Sequence, residues 1–402
     1  MSSAFMIGPV FIQMFSTSRG MLLAGKMLGG IPQGIFVVST ANYISESATV
    51  KMRAPTSALM AMTLVLGIVF GLTVGYERFL YFDSAWKSWR LVLSLQLIFP
   101  VLTITGLFFT TDSPVYQVKR DQVGPARRSL MKLYGKDSPD LAARLASIQL
   151  AVALERDAQA HLAPARWIDL FRDPVDRRRT LIACTIWLVY QAGGNAFTAN
   201  GLYFLNQVGI QIDVVFKITI TMLALSAVTN LFAGYALERF GRRACFVYAN
   251  VFHLVVLLVI GGLGFVDYHS AGGLALAILI NLAISTQQFA TAGPTYALMN
   301  ELSSLRLRAK TQSLALGINA LVGWAFTFVT PYLFQPDSAD LGAKTAFIFA
   351  GLTAIGIVWS YFYVPETVGR STIEIDSLFS RSVPARLFRR TDVSSLSSDV
   401  VG

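Results

Sequence analysis

The 402 residues carry 33 Lys and Arg against 23 Asp and Glu, a formal charge of +10, yet only 14% of the chain is charged and 54% is apolar. With a mean hydropathy of +0.55, that balance excludes a soluble nucleic-acid-binding protein, which would need a solvated basic face over a smaller core. It points to a chain whose solvent is largely hydrocarbon.

Ten stretches run eighteen or more residues without Asp, Glu, Lys or Arg: 1–18, 27–45, 54–76, 91–111, 180–212, 218–237, 244–266, 268–300, 311–336 and 345–365. A helix rises about 1.5 Å per residue, so roughly 20 apolar residues cross the ~30 Å hydrocarbon core of a bilayer. The pattern predicts an all-α, polytopic integral membrane protein with about ten transmembrane helices. A soluble globule would show a charged face every third or fourth residue, and these windows have none. With a cytoplasmic start, the odd-side loops hold only Arg19, Arg78, Lys87, Arg90, Lys217 and Lys344. The other basic residues fall on the even side, apart from Lys26 just inside a span, so the charge bias places both termini in the cytoplasm.

In chain order, residues 1–111 hold four spans. Gly25, Gly29, Gly30 and Gly34 on the second and Gly67, Gly71 and Gly75 on the third are spaced for close helix approach. Pro32, Pro294 and Pro331 predict bent or interrupted spans, as a substrate pathway uses. Residues 112–179 form a hydrophilic linker in which Leu130, Leu133, Leu141, Leu145, Ile148 and Leu150 recur at helical spacing between charges. Prolines 114, 125, 139, 164 and 174 punctuate it, which predicts short amphipathic helices on the cytoplasmic face. Residues 180–365 hold six more spans, and 366–402 form a cytoplasmic tail whose Ser- and Arg-rich part, from Ser380, is expected to be disordered.

Cys184 and Cys245 read as buried structural thiols, and His161, His253 and His269, which have no metal-site spacing, as ordinary loop or span residues. The N-terminus lacks the basic region of a cleaved signal peptide. No phosphate-cradling loop, metal-binding HExxH or paired loop acid and base occurs, so the chain is not read as an enzyme and no cofactor or metal is expected.

Charge returns at three cytoplasmic span ends: NYISESATVKMRAP, ERFGRR and YALMNELSSLRLRAKT. Each sets a carboxylate (Glu46, Glu238, Glu301) close to an arginine (Arg53, Arg242, Arg243, Arg308). Such charges can pair between neighbouring helices and part when the helices separate, a latch on one conformational state.

These motifs resemble the sugar porters of the major facilitator superfamily, most closely the fungal α-glucoside (maltose-type) permeases. Tyr43, Ser45, Glu46 and Arg53 match the motif after the family's fourth span, and Glu238, Gly241, Arg242 and Arg243 the acidic-x-x-Gly-Arg-Arg loop. Gly293, Pro294, Glu301, Ser303, Leu307, Arg308, Lys310 and Thr311 match the fungal Gly-Pro to Leu-Arg-x-Lys-Thr segment. Pro365, Glu366, Thr367, Gly369, Arg370, Glu374, Ile375, Asp376, Leu378 and Phe379 match the Pro-Glu-Thr-x-Gly-Arg signature and its trailer, which adds Glu366 and Arg370 to the latch.

The resemblance implies the major facilitator fold, twelve spans in two six-helix halves around a midplane site worked by alternating access. Aligned on these motifs the chain begins at the family's third span, so the expectation is ten of the usual twelve helices, with the first-span proton-coupling acid absent. Gln191 and Asn195 in WLVYQAGGNAF resemble the family's sugar contacts, and Gln287, Gln288, Tyr296, Asn319 and Trp324 fall near sugar-contacting positions. Amide and aromatic side chains suit sugars because they exchange hydrogen bonds with hydroxyls and stack on ring faces. The implied function is a multi-pass carbohydrate transporter, proton-coupled in its full-length relatives and resident in the plasma membrane. Its partners would be a small-molecule sugar, such as an α-glucoside, and the lipid bilayer, with no nucleic acid. The alternatives are a sugar sensor that does not transport and an inactive truncated homologue.

Overall fold

The computed structural model describes residues 2–47, 63, 65–76, 85–135, 141–160, 166–207, 209–266, 271–289, 293–304, 306–335, 337–370 and 372–391, and among them there is helix and no strand. The chain divides into two compact units, Met1–Ala163 and Pro164–Gly402.

The first unit contains α1 (Ser2–Met14), α2 (Arg19–Ser47), α3 (Val65–Tyr76), and α4 (Ala85–Ser94), which runs through a 3-10 turn, Leu95–Leu97, into α5 (Ile98–Leu107). Helix α1 has 13 residues, about 20 Å, shorter than the window 1–18 predicts, while α2 begins eight residues ahead of its window and reaches 29 residues. Pro32 does not interrupt α2, correcting the expectation of a break there. Its missing N–H only leaves the Leu28 carbonyl without its usual intrahelical partner. Close approach is real at Gly25, where a Cβ would meet Gln13 Cγ at 2.7 Å and where the Gln13 amide donates to the Gly25 carbonyl at 3.2 Å. At Gly30, Gly34, Gly67, Gly71 and Gly75 an added Cβ would meet no side chain or other element within 4 Å among the described residues.

The hydrophilic segment folds into α6 (Pro114–Lys119), α7 (Val123–Tyr134) and α8 (Leu141–Ala160). Ser113 caps α6 by accepting from Tyr116 N–H, with Pro114 pre-set at the first helical position. Val118, Ala126 and Val152 form a small core, against which Leu145 and Ile148 pack, whereas Leu133 and Leu150 are exposed. Tyr43 donates to the Thr111 carbonyl and Tyr134 to the Ser47 carbonyl, both at 2.9 Å, which ties the end of α2 to these helices.

The second unit holds α9 (Asp169–Arg172), α10 (Pro174–Tyr190), α11 (Ala196–Ala199), α12 (Gly201–Gln207), α13 (Ile212–Phe240) and α14 (Arg242–Leu263). It continues with α15 (Ala271–Gln287), α16 (Gly293–Leu302), α17 (Arg308–Phe334), α18 (Thr345–Tyr363) and α19 (Thr372–Ser380). Helix α10 starts six residues before its charge-free window, because Asp173 and Pro174 form a strong start signal whatever the charges that follow. Pro331 lies inside α17, which runs on unbroken to Phe334, so it too fails to interrupt its span.

On α14, Val256, Leu257 and Ile260 are buried while Phe252, Val255, Leu258 and Val259 are 44–54% exposed, both faces being apolar. A helix greasy on its outer face needs lipid rather than water around it. Arg19–Thr40, Trp89–Leu107, Arg242–Leu263, Arg308–Phe334 and Gly342–Tyr363 are, among the described residues, the helices long and apolar enough to cross a membrane by themselves. The window 218–237 lies within the unbroken 29-residue α13, and the remaining predicted windows are shorter, broken or partly outside the described residues.

The tail contradicts the expectation of disorder from Ser380 as far as it is described, to Thr391. Leu378, Phe379 and Phe388 are buried in one cluster with Ile182, Ile186, Phe246, Leu298 and Leu302. Arg179, 3% exposed, reaches Asp376 at 2.5 Å and lies over the Phe379 ring, and Arg178 donates to the Val383 carbonyl at 3.2 Å. Ser- and Arg-rich composition conceals these few aromatic anchors.

Candidate functional site

The span that begins with α10 does not continue as one helix. At Gln191–Asn195 the backbone adopts a π turn, and Gly194 takes φ +88°, ψ 22°. A side chain at 194 would be strained by that dihedral and would press on Phe349 Cβ at 3.3 Å. A π turn breaks the regular i to i−4 ladder, and within a membrane the freed carbonyls need side-chain donors. Neighbouring helices supply them: Gln287 donates to the Tyr190 carbonyl at 3.0 Å, and His253 Nε2 lies 2.7 Å from the Gly193 carbonyl. Thr198 Oγ1 lies within reach of both the Gly194 and Asn195 carbonyls, at 3.2 and 3.1 Å.

The same turn aligns three carboxamides. Asn195 Nδ2 donates to Gln191 Oε1 at 3.1 Å, and Gln191 Nε2 donates to Asn319 Oδ1 on α17 at 2.7 Å. Gly323, one turn beyond Asn319, gives this chain room, since a Cβ there would fall 2.7 Å from Gln191 Nε2. Beside the turn, Trp187 is buried, donates to Met299 Sδ at 3.2 Å, and meets Tyr190 and Tyr296 edge-on at 5.6 and 4.9 Å. Tyr296 is half exposed, so this aromatic wall has one open edge.

Of the sequence-selected residues, the structure therefore brings together Gln191, Asn195 and Asn319, with Gln287 against the same turn and Tyr296 alongside. Gln287 is only 2% exposed and its amide is engaged with backbone. Gln288 is half-buried on a second short π turn, and Trp324 is exposed, stacked on Phe328 of its own helix at 6.1 Å. The residue that sequence reading missed is His253. It is fully buried and bonded at both ring nitrogens, to Gly193 and to Thr286 Oγ1 at 2.9 Å. Its partners are 60 and 33 residues away, so no local spacing announces it; the available signal was a lone imidazole inside a charge-free span. His161 and His269 lie outside the described residues.

A second polar cluster sits at the charged end of these helices. Gly241 joins α13 to α14 at φ +103°, and a Cβ there would collide with the Glu366 carboxylate. That carboxylate caps α14 from a distant segment, accepting from the backbone N–H of Arg242 and Arg243 and from those of Thr367 and Val368. Arg242 pairs with Glu301 at 3.0 Å, whose other oxygen accepts from the Thr367 hydroxyl. Arg243 donates to the Tyr361 carbonyl at 2.7 Å and Arg370 to the Thr391 carbonyl at 2.7 Å. Arg308 does not carry the Glu301 pair, and its Nε is buried without a hydrogen-bond partner among the described residues. The side chains of Glu46 and Glu238 and the whole of Arg53 lie outside the described residues.

Apolar outer faces, helices broken at mid-span, and carboxamides gathered at the break define a polytopic membrane protein with the architecture of a transporter. The sugar (and other) transporter family matches residues 1–379, and the chain belongs to that family. It is 33% identical over 380 residues to an MFS transporter of Aspergillus fumigatus, covering 94% of this chain and 70% of that one. It is 28% identical over 395 residues to a maltose permease of Saccharomyces cerevisiae, covering 98% of this chain and 64% of the permease. In fold it is similar to a proton:xylose symporter bound to 6-bromo-6-deoxy-D-glucose, with TM-score 0.69 at 16% identity, over 94% of this chain and 82% of the symporter. A partially occluded, inward-open form of the Escherichia coli xylose transporter gives TM-score 0.71 at 17% identity, covering 92% and 81%.

Proposed function

We propose that this family member is a carrier whose substrate is an α-glucoside or a related small sugar, bound at the broken turn and moved by alternating access. The observation that carries the reading is the chain Asn195–Gln191–Asn319, with paired carboxamides held at mid-span where isolated polar groups are costly. Carboxamides offer both donors and acceptors to sugar hydroxyls, and the half-exposed Tyr296 offers a ring edge and face beside them. The maltose permease of yeast supports an α-glucoside as substrate, and the xylose symporter supports proton coupling. The Glu366, Glu301 and Arg242 cluster then serves as the cytoplasmic latch, with both termini inside and the plasma membrane as residence.

Titration of the purified 402-residue chain with maltose and with glucose, read by calorimetry, tests the sugar. Saturable binding of one of them, weakened by Gln191→Ala, is the expected result. Absence of binding to both, by a chain that unfolds cooperatively, would refute the reading.

A further inference from the structure

We infer that His253 is a positioning residue for the sugar site: its ring holds the Gly193 carbonyl and so sets the broken turn on which Gln191 and Asn195 project. The inference rests on the sugar-binding reading above and deepens it.

The tautomer follows from the partners. A carbonyl only accepts, so Nε2 carries the hydrogen toward Gly193 at 2.7 Å, and in the neutral ring Nδ1 accepts from the Thr286 hydroxyl at 2.9 Å, whose single hydrogen is shared with the Ala283 carbonyl at 3.0 Å. Both nitrogens are thereby fixed on a ring with no exposed surface. Three elements meet in this one side chain: α14 provides the ring, α15 orients it through Thr286, and the π turn receives its N–H. Gln287, one residue after Thr286, holds the Tyr190 carbonyl three residues upstream of Gly193. The turn is thus held just before its start by Gln287 of α15 and at its middle by the α14 imidazole, which Thr286 of α15 orients.

The grip matters because the carboxamides sit at positions 191 and 195, on either side of the held carbonyl. In a regular helix those residues would be one turn apart on a continuous ladder, and their directions would be set by backbone alone. At a π turn with a left-handed glycine, the local backbone does not fix them, and outside contacts must. Removing the imidazole leaves a carbonyl without its donor in a water-poor interior, and the turn gains by rearranging to recover one. The Gln191 to Asn319 bond is the first casualty, since it spans from the turn to another helix.

The test compares maltose and glucose affinity with backbone hydrogen exchange in the purified full chain, for the parent and for His253→Ala, His253→Gln and Thr286→Val. His253→Ala should weaken sugar binding about tenfold and Thr286→Val about threefold. His253→Gln, which returns an amide N–H at the Nε2 position, should recover most of the parent affinity. Exchange should quicken in residues 190–200 for His253→Ala and stay at parent rates in α18. If exchange rises equally throughout α14 and α15, or if the Gln variant binds no better than the Ala variant, His253 is a packing residue and the inference is overturned. Parent-like affinity in His253→Ala overturns it also, while the sugar reading stands. A folded parent that binds neither sugar refutes the sugar reading, and the 190–200 exchange then decides whether the imidazole holds the turn.

Discussion

Glu366→Gln keeps the volume of a buried side chain and deletes its charge. In the native structure Oε1 accepts the N–H groups of Arg242, Thr367 and Val368 at 2.9, 3.1 and 3.3 Å, and Oε2 that of Arg243 at 3.2 Å. Hydrogen bonds to a charged group contribute ~1.5–3 kcal/mol and neutral ones ~0.5–1.5. The amide oxygen of Gln can keep the three bonds on the Oε1 side, each weakened by about 1 kcal/mol, about 3 kcal/mol in all. Its NH2 then faces the Arg243 N–H, and orphaning that donor costs about 1–3 kcal/mol. Glu366 is 6% exposed, so water gives little relief, and the total comes to about 4–6 kcal/mol. For a unit of this size that lowers the midpoint of thermal unfolding by on the order of 10 °C. Fluorescence-detected unfolding in detergent measures the shift, and amide exchange in 242–246 locates it. A shift under ~2 °C with unchanged exchange at the start of α14 would refute the cap, since the desolvation cost would then cancel its bonds.

Further outcomes follow from the same geometry. Asn319→Ala should weaken maltose binding by about 1–3 kcal/mol at normal expression, and loss of folded protein instead would make Asn319 a packing residue. Glu301→Gln removes the partner of Arg242; cysteine labelling from the cytoplasmic side should quicken, and an unchanged rate would return the cluster to solvated surface charge. Phe388→Ala deletes a ring buried 5.1 Å from Phe379 and should open residues 381–391 to limited proteolysis, which parent-like cleavage would contradict. The Arg156 hydrogen bond and charge hold the exposed Asp121 carboxyl below its ordinary value of 3.8. A depressed carboxylate contributes above 3.8 and loses that contribution as pH falls through its lower folded value. An NMR titration of Asp121 should show the low midpoint, and Arg156→Ala should return it to the ordinary range.

Which parts of this molecule were legible in its sequence follows from what each part depends on. Charge-free windows depend on composition, and so most of the long helices were visible. The end signals Asp173–Pro174 and Ser113–Pro114 are equally local, and they move the start of α10 ahead of its window because capping is decided by backbone donors, not by hydropathy. Proline misled at Pro32 and Pro331, since a residue that omits one hydrogen bond need not end a long helix buried in lipid. The real break, at Gly193–Gly194, lay in a pair of glycines beside an asparagine, and its stability depends on His253 and Gln287 from other helices. Likewise the type of Glu366 was legible through its motif, but its cap on α14 joins residues more than 120 positions apart. The tail failed for the converse reason: polar composition outweighed two phenylalanines that find a pocket only once α10, α14 and α16 are assembled.

The two polar sites of the second unit differ in what it takes to change them. At the charged end of the helices a buried carboxylate holds four backbone donors and an Arg–Glu pair adds a charge-assisted bond, so rearrangement there must break several contacts of ~1.5–3 kcal/mol together. At mid-span the turn is held by neutral bonds from His253, Gln287 and Thr198, each costing ~0.5–1.5 kcal/mol to exchange. A sugar hydroxyl offers the same kind of neutral donor and acceptor as these side chains, so it can replace a Gln191 or Asn319 partner without leaving a charge uncompensated. A ligand shifts a conformational balance only through bonds that differ between the states. The mid-span turn is where a neutral ligand has such bonds to trade. The capped charged end, where several stronger bonds must break together, is the stiffer of the two sites.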